Sequence, residues 1–98
     1  MTAKELTYNE AQIAERLRDL DGWSYEGGVI QRVYKTDGFP KTLMLVNAIG
    51  YLAEAADHHP DMLVKWGSVG VALSTHSAGG ITDKDFALAR RIEDLVRP

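Results

Sequence analysis

The sequence contains no cysteine. Disulfide scaffolds, thiolate metal centres and cysteine nucleophiles are thereby excluded, and no redox argument fixes a compartment. Charge of one sign is not in excess either: 11 Lys and Arg stand against 14 Asp and Glu, a formal charge of −3. A nucleic-acid binder normally carries a basic face, so no nucleic-acid partner is expected. Long apolar runs are missing too. Nothing approaches the ~18 apolar residues that a membrane-spanning helix needs, and the polar start MTAKELTYNE lacks the apolar core of an export signal. The expectation is a cytoplasmic protein without a membrane partner. Histidine is also scarce, with three in 98 residues.

What is present describes one domain over residues 1–98. A chain of this size buries roughly 60–65% of its unfolded surface, enough for one modest core, which favours self-association. Thr7-Tyr8-Asn9-Glu10 has capping-box spacing, with Thr7 as N-cap. Ile13, Leu17 and Leu20 follow at helical spacing, and Asp21-Gly22 is the expected stop. Residues 23–26 and 29–36 flank Gly27-Gly28, the pattern of a hairpin with a two-residue turn. In the second of these strands Ile30, Arg32, Tyr34 and Thr36 share one face, while Val29, Gln31, Val33 and Lys35 share the other. Neither face is cleanly polar, so both are expected to be partly covered.

Pro40 opens a second helix, with Leu43, Val46, Ile49 or Gly50, and Ala53 as its apolar stripe. It must end near residues 57–59, because Pro60 pushes the residue before it out of helical backbone. Gly50 inside this helix suggests close approach to a neighbouring element. Residues 62–66 and 69–76 around Gly67-Ser68 predict a second hairpin. Thr82-Asp83-Lys84-Asp85 again has the look of a capping box, and Leu88, Ile92, Leu95 and Val96 form the stripe of a third helix. The order α-β-β-α-β-β-α predicts an α+β fold: a four-stranded antiparallel sheet with three helices packed on one face.

All three histidines fall within nineteen residues, at the ends of elements. His58 and His59 are adjacent at a helix end and so point in different directions. His76 closes the last expected strand, which a returning hairpin can bring back beside the 58–60 corner. Three imidazoles in one pocket would supply groups that titrate near neutrality. Simpler readings stand beside this one: His59-Pro60 as a helix stop, His58 favoured by the helix dipole. A zinc site is disfavoured, since the spacing lacks a helical His-x-x-x-His pair and adjacent histidines rarely chelate one ion. Asp85 reads first as the N3 cap of the third helix and second as a partner that orients an imidazole. Trp66 reads as core or interface, or as a flat border for a planar ligand. Ser74 and Thr75 offer hydroxyls to polar ligand edges if the site lies at their strand end. Asp57 sits where the helix dipole disfavours an acid, a hint of function.

The composite Glu54-x-x-Asp57-His58-His59-Pro60, then Trp66, Ser74-Thr75-His76 and Asp85, resembles the pterin-4a-carbinolamine dehydratase family. The likeness extends to Gly22-Trp23 and to Gly80-Ile81-Thr82. It implies an enzyme without metal or cofactor that dehydrates a 4a-hydroxy-tetrahydropterin to the quinonoid dihydropterin during recycling of a tetrahydrobiopterin-type cofactor. It implies a homodimer or homotetramer assembled through sheet and helix contacts. His58, His59 and His76 match the catalytic trio, and Asp57, Trp66, Ser74, Thr75 and Ser77 fall in the substrate-contacting segments. Glu54 and Asp85 match residues that support the trio from behind. Met62 and Ser77 depart from residues found in some relatives and bear on pocket shape. Two rival functions follow from the same residues. One is a protein-interaction module, as in relatives that serve as dimerisation or assembly factors; the other is a zinc hydrolase.

Overall fold

The computed structural model describes residues 6–97. The polar stretch read against an export signal therefore lies partly outside the described residues. The elements are α1 (Glu10–Leu17), β1 (Ser24–Glu26), β2 (Val29–Lys35), α2 (Phe39–Ala56), β3 (Asp61–Lys65), β4 (Ser68–Leu73) and α3 (Asp83–Val96), with a 3-10 turn at His76–Ala78. This is the expected α+β order. The four strands form one antiparallel sheet in the order β1-β2-β4-β3, so the two hairpins join through β2 and β4.

The pleat sorts side chains to two faces. Ile30 and Leu73 pair across β2 and β4, as do Tyr34 and Val69, and with Val71 all are buried beneath the helices. Ile13, Ile49, Ala53, Phe86, Leu88, Ala89 and Ile92 supply the helical side of that core. Opposite lies the uncovered face, where Val33 is 64% and Leu63 63% exposed. Among the described residues the helices cover one face only; on the other face of β2, Val29 and Gln31 are half-buried, as partial cover predicts, while Val33 and Lys35 are exposed. Gly27 and Gly28 both take positive φ, 61° and 84°, which a two-residue hairpin turn of this hand requires.

Several local details differ from expectation. The N-cap of α1 is Asn9, with Gln12 as its capping-box partner, rather than Thr7 with Glu10. Asparagine outranks threonine as a cap, and the Tyr8 N–H is already committed to the Ile81 carbonyl at 2.9 Å, holding the preceding chain extended. Beyond Leu17 the helix tightens into i→i+3 bonds that carry the buried Leu20 inward. The buried row of α2 contains Thr42 instead of Leu43, because Thr42 binds the Gly38 carbonyl at 3.2 Å and the Trp66 carbonyl at 3.0 Å. Leu43 is turned outward at 43% exposure. Among the described residues Gly50 meets no neighbour: a Cβ there finds nothing within 4 Å. On α3 Leu88 and Ile92 are buried as expected, but Leu95 and Val96 are exposed. Glu93 takes the last inward position, bonded to Tyr34 and Arg32. No described helix is long and apolar enough to cross a membrane.

Candidate active site

The site is built where α2 ends, β4 ends and α3 begins. The C-cap Asp57 is left-handed, with φ 51° and ψ 41°, and its N–H returns to Ala53 and Glu54 carbonyls. The His58 N–H also reaches the Ala53 carbonyl, at 3.1 Å. This closure turns the chain sharply, so His58 and His59 leave the helix in different directions. Pro60 then commits the chain to β3.

The third histidine arrives by a different route from the one expected. β4 stops at Leu73, and Thr75 pairs with Gly80 in an isolated bridge. The Thr75 carbonyl accepts from the N–H groups of Ala78, Gly79 and Gly80. His76 therefore opens a tight 3-10 turn rather than ending a strand. Gly79 closes the turn with φ 74°, where a side chain would be strained.

These segments enclose a polar cavity of about 270 Å³ lined by Asp57, His58, His59, Ser74, Thr75, His76, Ser77 and Lys84. All three imidazoles border it. A larger hollow of about 460 Å³ lies between α1 and α3. Its arginines are already engaged, Arg16 with Tyr8 and Asp83 and Arg90 with the Asp19 carbonyl, and it carries no histidine.

Behind the cavity wall sits Asp85, fully buried. Its Oδ1 lies 2.6 Å from His58 Nε2. Its Oδ2 accepts from the Thr75 hydroxyl at 2.8 Å and from the Thr82 N–H at 2.9 Å. The expected capping box of α3 is therefore present, and the same carboxylate also holds an imidazole. An ionised carboxylate only accepts, so Nε2 donates its hydrogen to Asp85, and in the neutral ring Nδ1 then carries the lone pair. His58 is 11% exposed, and this pair is shielded from water. By contrast, His59 Nε2 meets Glu54 Oε1 at 2.8 Å, with the two side chains 58% and 81% exposed. That contact orients the ring and adds little stability.

Trp66 is the expected site residue that the chain does not bring to the cavity. It sits at the far tip of the β3–β4 hairpin, 76% exposed, about 20 Å along the strand from Pro60 by strand rise. Thr75 lines the cavity, but its hydroxyl faces inward to Asp85 and Thr82. Sequence reasoning missed Lys84, which borders the cavity from the first turn of α3. Its signal was adjacency to Asp85 on a helix start expected to approach the site. Among the described residues, no three His, Asp or Glu side chains form a group that could hold a metal ion.

The end of α2 and the turn after β4 thus bring three imidazoles, one of them braced by a buried carboxylate, to the border of one polar cavity. The family described as pterin 4 alpha carbinolamine dehydratase matches residues 6–95, and the chain belongs to it. A Roseiflexus castenholzii protein, provisionally named as such a dehydratase, is 46% identical over 90% of this chain and 95% of its own. An Aquifex aeolicus protein with the same provisional name is 43% identical over 91% and 90%. The crystal structure of a transcriptional coactivator/pterin dehydratase from Brucella melitensis superposes with a TM-score of 0.86 at 32% identity, covering 92% of this chain and 98% of that one. A pterin dehydratase-like RuBisCO assembly factor of the α-carboxysome shares the fold, at TM-score 0.63 and 16% identity over 76% and 87%.

Proposed function

We propose that the protein dehydrates a 4a-hydroxy-tetrahydropterin to the quinonoid dihydropterin. The observation that carries the reading is the 2.6 Å contact between buried Asp85 and His58 at the wall of a cavity shared with His59 and His76. Dehydration breaks the C4a–O bond, sends a proton to the departing oxygen, removes the N5 proton and leaves a C4a=N5 double bond plus water. It needs one base and one acid, each worth typically 10²–10⁴-fold. His58 is the base: Nε2 is held by Asp85, and Nδ1 carries the lone pair that takes the N5 proton. His76, exposed at the rim, delivers a proton to the 4a-oxygen. His59, steadied by Glu54, fixes the pterin with Asp57, Ser74 and Ser77. The balance closes on imidazoles alone, with no metal or cofactor in any step. Elemental analysis separates this reading from a zinc hydrolase.

The test is direct. The carbinolamine is generated by an aromatic amino acid hydroxylase, and its decay is followed by absorbance with and without the protein. Acceleration by wild type that His76→Ala abolishes supports the assignment, and undiminished dehydration by that variant removes His76. The complete trio favours an enzyme over a purely interacting module, and a stoichiometric partner captured by pull-down from an inactive protein would reverse that preference. The proposed setting is the cytoplasm, in recycling of a tetrahydrobiopterin-type cofactor.

We also infer a homo-oligomer. β3 is an edge strand, with Leu63 at 63% and Val64 at 40% exposure, and an uncovered apolar edge invites pairing. Antiparallel self-pairing about Leu63 sets Asp61 opposite Lys65 of the partner subunit, twice. It also brings Trp66 of the partner subunit to the Pro60 corner beside the histidines. A binding role for that tryptophan, distant within one chain, then becomes geometrically possible.

A further inference from the structure

We propose that Thr75 is a positioning residue that sets the tautomer of His58 through Asp85. This rests on the catalytic reading given above, but the geometry behind it is independent of any substrate. Thr75 is 3% exposed, and its Oγ1 lies 2.8 Å from both Asp85 Oδ2 and Thr82 Oγ1. A hydroxyl has a single proton to give. The Thr75 proton goes to the carboxylate, so the Thr82 hydroxyl must donate to Thr75. The Thr82 oxygen in turn accepts the Lys84 N–H at 3.2 Å.

The result is a one-way chain: Lys84 N–H to Thr82, Thr82 O–H to Thr75, Thr75 O–H to Asp85. It ends on a carboxylate whose remaining oxygen can only accept from His58 Nε2. Bonds aligned head to tail polarise one another in a buried setting. The Thr75 link decides whether Asp85 keeps this orientation, since the Thr82 N–H alone leaves Oδ2 half-satisfied and the carboxylate freer to turn. The Thr75 main chain acts on the other catalytic imidazole, because its carbonyl gathers the three N–H groups that shape the His76 turn. One buried residue thus holds His58 by its side chain and places His76 by its backbone. The hydroxyl is committed to this chain, so Thr75 supports the pterin site without lending its side-chain oxygen to the ligand.

The experiment uses the full chain labelled with ¹⁵N-histidine. Ring nitrogen shifts report the tautomer of His58 whether or not the protein proves to be a dehydratase. Wild type is expected in the Nε2–H form, and a wild type in the Nδ1–H form overturns the proposal without any variant. Thr75→Val keeps the branched shape and removes the hydroxyl; it is expected to populate the Nδ1–H form. If the protein is the proposed dehydratase, kcat falls by roughly 10–100-fold, the range for losing an outer partner of a functional histidine, while KM moves much less. Thr75→Ser keeps the donor and is expected to restore both the tautomer and kcat. A folded Thr75→Val whose His58 signals match wild type overturns the proposal, even if its activity is lost.

Discussion

Replacing Asp85 by asparagine tests the site at its most constrained point. The carboxylate is fully buried and meets three donors: Thr75 O–H and Thr82 N–H on Oδ2, and His58 Nε2–H on Oδ1. Asparagine has one accepting oxygen. Two donors converge on the Oδ2 side, so the amide oxygen is drawn there and the NH₂ is turned toward His58. An NH₂ facing Nε2 requires Nε2 to accept, which moves the ring hydrogen to Nδ1 and removes the base from the cavity. The expected loss is on the order of 10²–10⁴-fold in kcat, the scale for a missing or wrongly protonated general base. Stability should change far less. The N3 position keeps an acceptor for the Thr82 N–H, and losing the charge at the helix start costs about 0.3–1 kcal/mol, a shift of roughly 1–8 °C in Tm for a domain of this size. Two assays read the two effects: stopped-flow decay of the carbinolamine for kcat, and thermal unfolding for Tm. A folded Asp85→Asn protein that turns over within threefold of wild type would refute the tautomer argument.

Three further outcomes follow from particular residues. Asp57→Gly should relieve the left-handed backbone at φ 51° and raise stability by about 0.5–1 kcal/mol, while lowering kcat/KM because the carboxylate leaves the cavity lining; unchanged activity removes Asp57 from the site. Tyr34 has its pKa pushed above the ordinary 10.0, chiefly by burial and then by its bond to Glu93. A raised folded pKa gives stability that is complete below pH 10.0 and lost as pH rises from there through the folded value. Urea unfolding should therefore show the gap between wild type and Tyr34→Phe narrowing at alkaline pH, and a constant gap contradicts it. Asp61→Lys should weaken the proposed β3 pairing by setting like charges opposite each other. Light scattering should report a smaller species, with assembly recovered in the Asp61→Lys, Lys65→Asp double variant; an unchanged mass for the single variant removes that interface.

Elements were legible in the sequence wherever one residue type had one physical task. Gly27-Gly28 between two apolar runs admits a hairpin and little else, and Pro60 after two histidines ends a helix. Faces were harder to read. Leu43 is the more apolar residue, yet Thr42 is buried with its hydroxyl within bonding distance of two carbonyls, and the nearer, that of Trp66, is twenty-four positions away, where no local pattern reveals it. Gly50 was misleading for a related reason. Its meaning depends on what packs against its own face of α2, and among the described residues nothing comes within 4 Å of a Cβ there. The histidine corner was visible as a cluster and its convergence was expected, but not the route by which His76 arrives. It depends on β4 stopping early so that the Thr75 carbonyl can draw His76 back, a turn encoded by Gly79 and Gly80 rather than by the strand. Lys84 was passed over because a capping box draws attention to its first and last members.

Asp85 shows why the structural and functional readings of a residue need not compete. Its two oxygens divide the work: Oδ2 closes the cap of α3 and receives Thr75, and Oδ1 holds His58. A cap residue is fixed by the helix it starts, so an imidazole bonded to that cap inherits the rigidity of a fourteen-residue helix rather than the freedom of a loop. That addresses a difficulty raised by placing the proposed catalytic groups at element ends, where backbone is least constrained. The cost is coupling, since a substitution that loosens the start of α3 must also loosen His58. Weakening the cap at Thr82, which does not touch His58 and is not itself part of the cavity lining, should therefore lower kcat well before it unfolds the protein. If the site rested on a loop independent of α3, activity would instead persist until the global transition.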